Sequence, residues 1–178
     1  LAKREALINT ITSAIRSSLD PQDIFAAITQ QLGQALQVDG CVLSLWTQED
    51  EYVQCVGLYN SLQDPEEGDS SSVEQVRTSS LPQSLAPIQE NPILQEMLRT
   101  QEPVVIVDMN HSPPQFNGFD LPLRRRSRSL MVVPLLADGK SIGSITLRER
   151  NKGRQWDAAE IELAKAVAAQ AAIGRAHV

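Results

Sequence analysis

The stretch RSLMVVPLLADGKSIGSITL, residues 128–147, contains two apolar runs joined by Ala137-Asp138-Gly139-Lys140. Asp-Gly supplies the positive backbone φ angles of a tight turn, so the chain has to fold back here and pair two strands. Pro134 lies inside the first run. Proline has no N–H for a ladder and is confined to edge strands or bulges, so the rule taken alone demotes this strand.

Elsewhere the apolar period alternates between helix and strand. Ile8, Ile11, Ile15 and Leu19 recur at the spacing of an amphipathic helix. Asp20-Pro21 restarts the helix, with the carboxylate capping free N–H groups and proline at the first position, where its missing N–H costs nothing. Ile24, Ile28, Leu32 and Leu36 make the buried stripe of that second helix. Cys41–Trp46 and Tyr52–Val56 are rich in β-formers and flank the polar turn Thr47–Glu51, which predicts a hairpin. Asn60–Gln83 is a long surface loop by composition. Asn91-Pro92 repeats the cap-and-proline device and opens a short helix through Leu98, and Val104–Val107 follows as a buried strand. Asp108–Arg126 is irregular. Asp157 and Glu160 form a capping box for a helix that runs to the C-terminus. An antiparallel sheet with helices at both ends of the chain is an α+β domain.

At 178 residues the chain is one domain, 1–178, able to build a core without metal or disulfide staples. It begins and ends within helical patterns, 1–19 and 158–178, and is expected to be a fragment of a longer protein. A net charge of -6 opposes nonspecific nucleic-acid or anionic-membrane binding, and the apolar run Leu130–Ala137 is too short to span a bilayer. Two cysteines, Cys41 and Cys55, provide neither a disulfide framework nor a zinc site and suit a reducing, cytoplasmic setting.

Read together, Arg128–Leu135, Asp138-Gly139-Lys140, Ile142-Gly143 and Trp156–Leu163 resemble the GAF domain, as does Ile15–Pro21 with Val38-Asp39 before the first strand. The resemblance spans the chain. It implies a PAS-like fold: a central antiparallel sheet of five to six strands, terminal helices on one face, and a small-molecule pocket under loops and short helices on the other. It also places a proline within a strand, so that strand is kept, with a local bulge expected at Pro134. The implied function is sensory and regulatory, in a cytoplasmic two-component signalling protein. The remaining alternatives are a ligand-free dimerising spacer, a noncovalent tetrapyrrole sensor and a cyclic-nucleotide sensor.

Three family chemistries can be compared with the residues. The methionine sulfoxide reductase of this fold uses loop cysteines, whereas Cys41 and Cys55 fall in strands, expected on one face of the hairpin, and read as small hydrophobes. Bilin-binding relatives attach pigment through a cysteine between Asp108 and Ser129; none stands there, which argues against covalent bilin and leaves a noncovalent pocket open. The cyclic-nucleotide signature is matched loosely by Asn151-Lys152, Trp156 and Glu160-Ile161, where a Lys152–Glu160 pair would tie the last strand to the final helix.

Strand alternation assigns Leu43, Leu45, Ile145 and Leu147 to the helix side. Their alternates Ser44, Trp46, Gln54, Ser144, Thr146 and Arg148 face the pocket side, joined by Arg128 just ahead of its strand. The tract Arg124–Arg126 reads as a solvated loop. Two apolar stripes on the last helix, Ile161/Ala164/Ala168/Ala172 and Leu163/Val167/Ala171, call for two neighbours. The sheet is one; the first helix or a second subunit is the other, and a homodimer through the terminal helices is expected.

Overall fold

The computed structural model describes residues 2–17, 20–61, 87–111 and 127–176. Leu19, most of the Asn60–Gln83 loop, the greater part of Asp108–Arg126 with Arg124–Arg126, and the chain end beyond 176 lie outside them. The elements run α1 (Ala2–Ser17), α2 (Pro21–Leu36), β1 (Gly40–Leu45), β2 (Gln54–Asn60), α3 (Pro92–Thr100), β3 (Val104–Ile106), β4 (Ser129–Ala137), β5 (Lys140–Glu149) and α4 (Ala158–Ala176). Single 3-10 turns at Ile88–Glu90 and Met109–His111 flank α3 and β3.

Local chemistry sets the boundaries. Asp20 accepts from the Gln22 N–H ahead of Pro21, and Asn91 accepts from the Ile93 and Leu94 N–H groups ahead of Pro92. Asp157 and Glu160 exchange main-chain hydrogen bonds at 2.8 and 3.1 Å, closing the expected capping box before α4. At the hairpin tip Asp138 and Gly139 have φ angles of 51° and 75°, the geometry for which that dipeptide is selected.

The strands form one antiparallel sheet in the order β2-β1-β5-β4-β3. Pro134 stays in register opposite Ser144, and the irregularity expected there falls beyond it, between Leu135 and Leu136. The reason lies on the other edge of β4. Strand β3 begins opposite Val132, so among the described residues no partner strand flanks β4 on that side at Pro134.

A second irregularity lies between β1 and β2. Leu43 pairs with Gly57 while Ser44 pairs with Cys55, leaving Val56 as an extra residue. Upstream of this bulge every β2 side chain changes face.

One sheet face is covered by α2 and α4, with α1 packed against both helices. Ile11, Ile28, Leu32, Leu43, Met131, Leu135, Ile145 and Leu147 are buried in a single apolar cluster with Ala164, Val167, Ala168 and Ala171 of α4. Both stripes of α4 are thus satisfied within the chain, by the sheet and by α1 and α2. The opposite face carries α3 over β3 and β4, packing Ile93, Leu94 and Met97 on Val104, Ile106, Leu130 and Val132. At Gly143 an added Cβ would lie 2.2 Å from the Ser44 carbonyl oxygen. Main chain cannot yield there as a side chain can, so Gly143→Ala is expected to cost about 3 kcal/mol, read as a lower urea midpoint at unchanged m-value.

Candidate functional site

On the sheet face away from α1, α2 and α4, β1 and β5 place a row of polar side chains. Ser44 is the partner of Ser144, Thr146 lies between Val42 and Val132, and Arg148 lies between Gly40 and Leu130. All four are buried, Arg148 completely. Around them are Val42, Cys55 and Leu58, a small apolar group separate from the one under α3. The face is divided in two: an apolar half beneath α3 and a polar half over β2, β1 and β5.

The other three candidates are placed differently. Trp46 lies on this face, but its ring packs in the α3 cluster and its indole N–H donates to Ser144 Oγ at 3.0 Å, so it orients that hydroxyl from within a core. Gln54 is opposite Leu45, is exposed, and does not join the row. The bulge at Val56 moves it to the helix side and puts Cys55 opposite Ser44 in its stead. Arg128 is half-exposed at the end of β4, where Nε and Nη2 fork onto the two oxygens of Asp108 at 2.7 and 3.1 Å. That fork, with the Asn110 N–H and His111, holds the Asp108 carboxyl well below the usual carboxylate range.

The same bulge separates the cysteines, which do not share a face. Cys41 is in the helix-side core and Cys55 on the polar half. Burial pushes the Cys41 thiol up, and pushes Cys55 up to about 12 against the pull of neighbouring Arg148. Thiols so placed are protonated at neutral pH and are poor nucleophiles. Both are expected to resist an aromatic disulfide reagent in the folded protein and to react at two equivalents once urea unfolds it.

The residue after Arg148 belongs to the other face and to the root of α4. Glu149 is buried, accepting from the Asp39 N–H at 2.9 Å and from Arg154 at 3.2 Å, with Lys152 at 3.5 Å. Arg154 also donates to the Leu36 carbonyl at 2.7 Å and to Glu160 at 2.5 Å, and its guanidinium lies 4.7 Å from the Trp156 ring centroid. The expected Lys152–Glu160 tie is therefore made by Arg154. Lys152 is mostly exposed and, among the described residues, reaches only Glu149. Arg154's planar fork serves three acceptors at once, the carboxylates of Glu149 and Glu160 and the Leu36 carbonyl. Trp156 completes the root, donating to Ser129 Oγ, which in turn donates to the Ile106 carbonyl. Arg154→Met leaves the Glu149 carboxylate buried without its main counter-charge and is expected to cost about 3 kcal/mol in denaturant unfolding, with part regained in the Glu149→Gln double variant.

Sequence reasoning put Cys55 on the face of Cys41 and passed over Asn60 and Arg150. Cys55 was hidden by the bulge, which has no signature in the residue pattern. Arg150 was within reach: two residues beyond Arg148, it continues the same alternation and is 8% exposed. Among the described residues no group of three His, Cys, Asp or Glu side chains is placed to hold a metal ion, and no helix is long and apolar enough to cross a membrane.

A five-stranded antiparallel sheet in the order 2-1-5-4-3, with helices of both chain ends on one face and a buried polar row on the other, defines a class of small α+β domains. The family model for the GAF domain matches residues 20–174, and the chain belongs to that family. GAF domains are sensory and regulatory units of signalling proteins and are generally non-catalytic. Solved structures share the fold at low identity. The GAF domain of an Acinetobacter phosphoenolpyruvate-protein phosphotransferase superposes with TM-score 0.74 at 16% identity, covering 98% of this chain and 93% of that one. Free methionine-R-sulfoxide reductase from Neisseria meningitidis, solved with its substrate, gives 0.67 at 18%, covering 99% and 93%. The GAF domain of cyanobacteriochrome TePixJ gives 0.64 at 16%, covering 92% and 93%. No curated protein matches the chain in sequence.

Proposed function

We propose that this GAF domain is a non-catalytic sensor that binds a small molecule over β2, β1 and β5 and relays its presence through α1 and α4 to the rest of a cytoplasmic two-component protein. The buried row Ser44, Ser144, Thr146 and Arg148 carries this reading. Burying hydroxyls and a guanidinium costs free energy that an apolar face would avoid, and the same sheet builds a largely apolar core on its other side. A mostly apolar surround with a few polar anchors is the composition of a small-ligand site.

Strand β5 supplies the route. Arg148 faces the ligand side and Glu149, the next residue, holds the Arg154–Glu160 root of α4. A ligand that prefers one position of Arg148 biases the strand end, and with it the helix. The homodimer is assigned to the α1–α4 face. There a groove of about 460 Å³ is lined by Ile8, Ala166 and Ala169 and rimmed by Arg4 and Glu5, opposite charges that a two-fold axis can pair across copies. The small alanines allow close approach of a second helix pair.

Native mass spectrometry of the purified domain tests both parts. The expected species is a dimer of 19.6 kDa chains carrying additional mass that leaves on denaturation. A clean apo dimer would favour a ligand-free spacer, and a monomer would remove the relay between copies.

A further inference from the structure

The three hydroxyls of the polar row are buried with their hydrogen bonding incomplete. Ser144 Oγ accepts from the Trp46 indole N–H at 3.0 Å and, among the described residues, donates to no acceptor. Ser44 and Thr146, 6% and 5% exposed, make no side-chain hydrogen bond among the described residues. Buried hydroxyls elsewhere in the chain behave otherwise. Thr29 donates to the Phe25 carbonyl at 3.1 Å, and Ser129 to the Ile106 carbonyl at 2.9 Å. A buried donor without an acceptor costs free energy, and each such group in a folded protein calls for a physical reason.

The sheet register sets the spacing of the three. Ser44 is the partner of Ser144, which puts their side chains about 5 Å apart, and Thr146, two residues along β5, stands about 7 Å from Ser144. The first two hydroxyls can converge on one carbonyl oxygen, which has two lone pairs, while Thr146 reaches a second acceptor. Val42, Cys55 and Leu58 frame the patch on the β2–β1 side, and the Trp46 ring borders its far end. The indole can only donate, so its N–H fills one lone pair of Ser144 Oγ and leaves the hydroxyl hydrogen to be given away.

We infer that the patch of Ser44, Ser144 and Thr146 binds a dicarbonyl compound. One carbonyl oxygen is held by Ser44 and Ser144 and the other by Thr146, with the apolar body of the molecule against Val42, Cys55 and Leu58. Trp46 is a positioning residue, acting through Ser144. The inference rests on the ligand site proposed above and specifies its ligand as an acceptor of hydrogen bonds.

The probe is 1,4-cyclohexanedione, titrated into the isotope-labelled whole domain, with the Trp46 indole N–H followed by NMR and assigned from Trp46→Phe. When Ser144 donates to the dione its oxygen becomes a stronger acceptor, so the indole proton should move downfield. For a compound of this size the shift is expected to saturate in the millimolar range. The Trp156 indole, bonded to Ser129 Oγ, should stay in place. Cyclohexanone, with one carbonyl, should bind about fivefold more weakly than the dione, and Thr146→Val should weaken the dione by the same factor. Urea unfolding separates lost binding from a lost fold. Thr146→Val and Ser44→Ala remove hydroxyls that lack acceptors, so their midpoints should equal or exceed that of wild type, whereas Ser129→Ala should fall below it. A wild-type shift that does not saturate would overturn the inference, as would equal dione affinity in wild type and Thr146→Val, or lowered midpoints in both Thr146→Val and Ser44→Ala. A co-purifying mass retained by both variants overturns the dicarbonyl assignment and leaves the wider site reading intact. Neither a co-purifying mass nor dione saturation removes both.

Discussion

A carboxylate buried as deeply as that of Glu149 has to be met by donors or the fold loses several kcal/mol. Its partners come from three directions: the Asp39 main chain ahead of β1, Arg154 in the connection to α4, and Lys152 in the turn between. Satisfying it brings the C-terminal end of α2, the start of β1 and the start of α4 to one point, since Arg154 also takes the last carbonyl of α2 and Glu160 of α4. The apolar layer between helices and sheet supplies most of the stabilisation, but it is not directional. The ion cluster fixes where α4 leaves the sheet.

Much of the fold could be read from the sequence because its signals are local. Caps at Asp20, Asn91 and Asp157, prolines at first helical positions and the Asp138-Gly139 turn each depend on a few adjacent residues, and each stands where it was expected. The period-two pattern of β5 likewise assigned Ile145 and Leu147 to the helix side and Ser144, Thr146 and Arg148 to the other. What could not be read depends on pairing between strands. Val56 adds one residue to β2, and that single step reversed the assignment of Gln54 and parted Cys41 from Cys55. Pro134 misled for a similar reason: whether a missing N–H matters depends on how far β3 extends, which β4's own residues do not encode.

The substitution of Arg154 for Lys152 belongs to a third kind. Spacing alone made Lys152 the partner of Glu160, and charge complementarity would have been equal. Reach and fork geometry decided it, because one side chain had to serve a carbonyl and two carboxylates at once. Trp156 shows the same economy, covering the guanidinium with its ring while its N–H secures Ser129.

The strict alternation of β5 also bears on how such a domain can diverge. Positions 144, 146 and 148 touch one environment and positions 145, 147 and 149 another, with main chain between them. Substitutions in the first set act first on the polar face, and those in the second on the helix-side packing. The chemistry of the polar face can therefore change without rebuilding the helix-side scaffold. One strand answers to two sets of physical constraints, interleaved residue by residue.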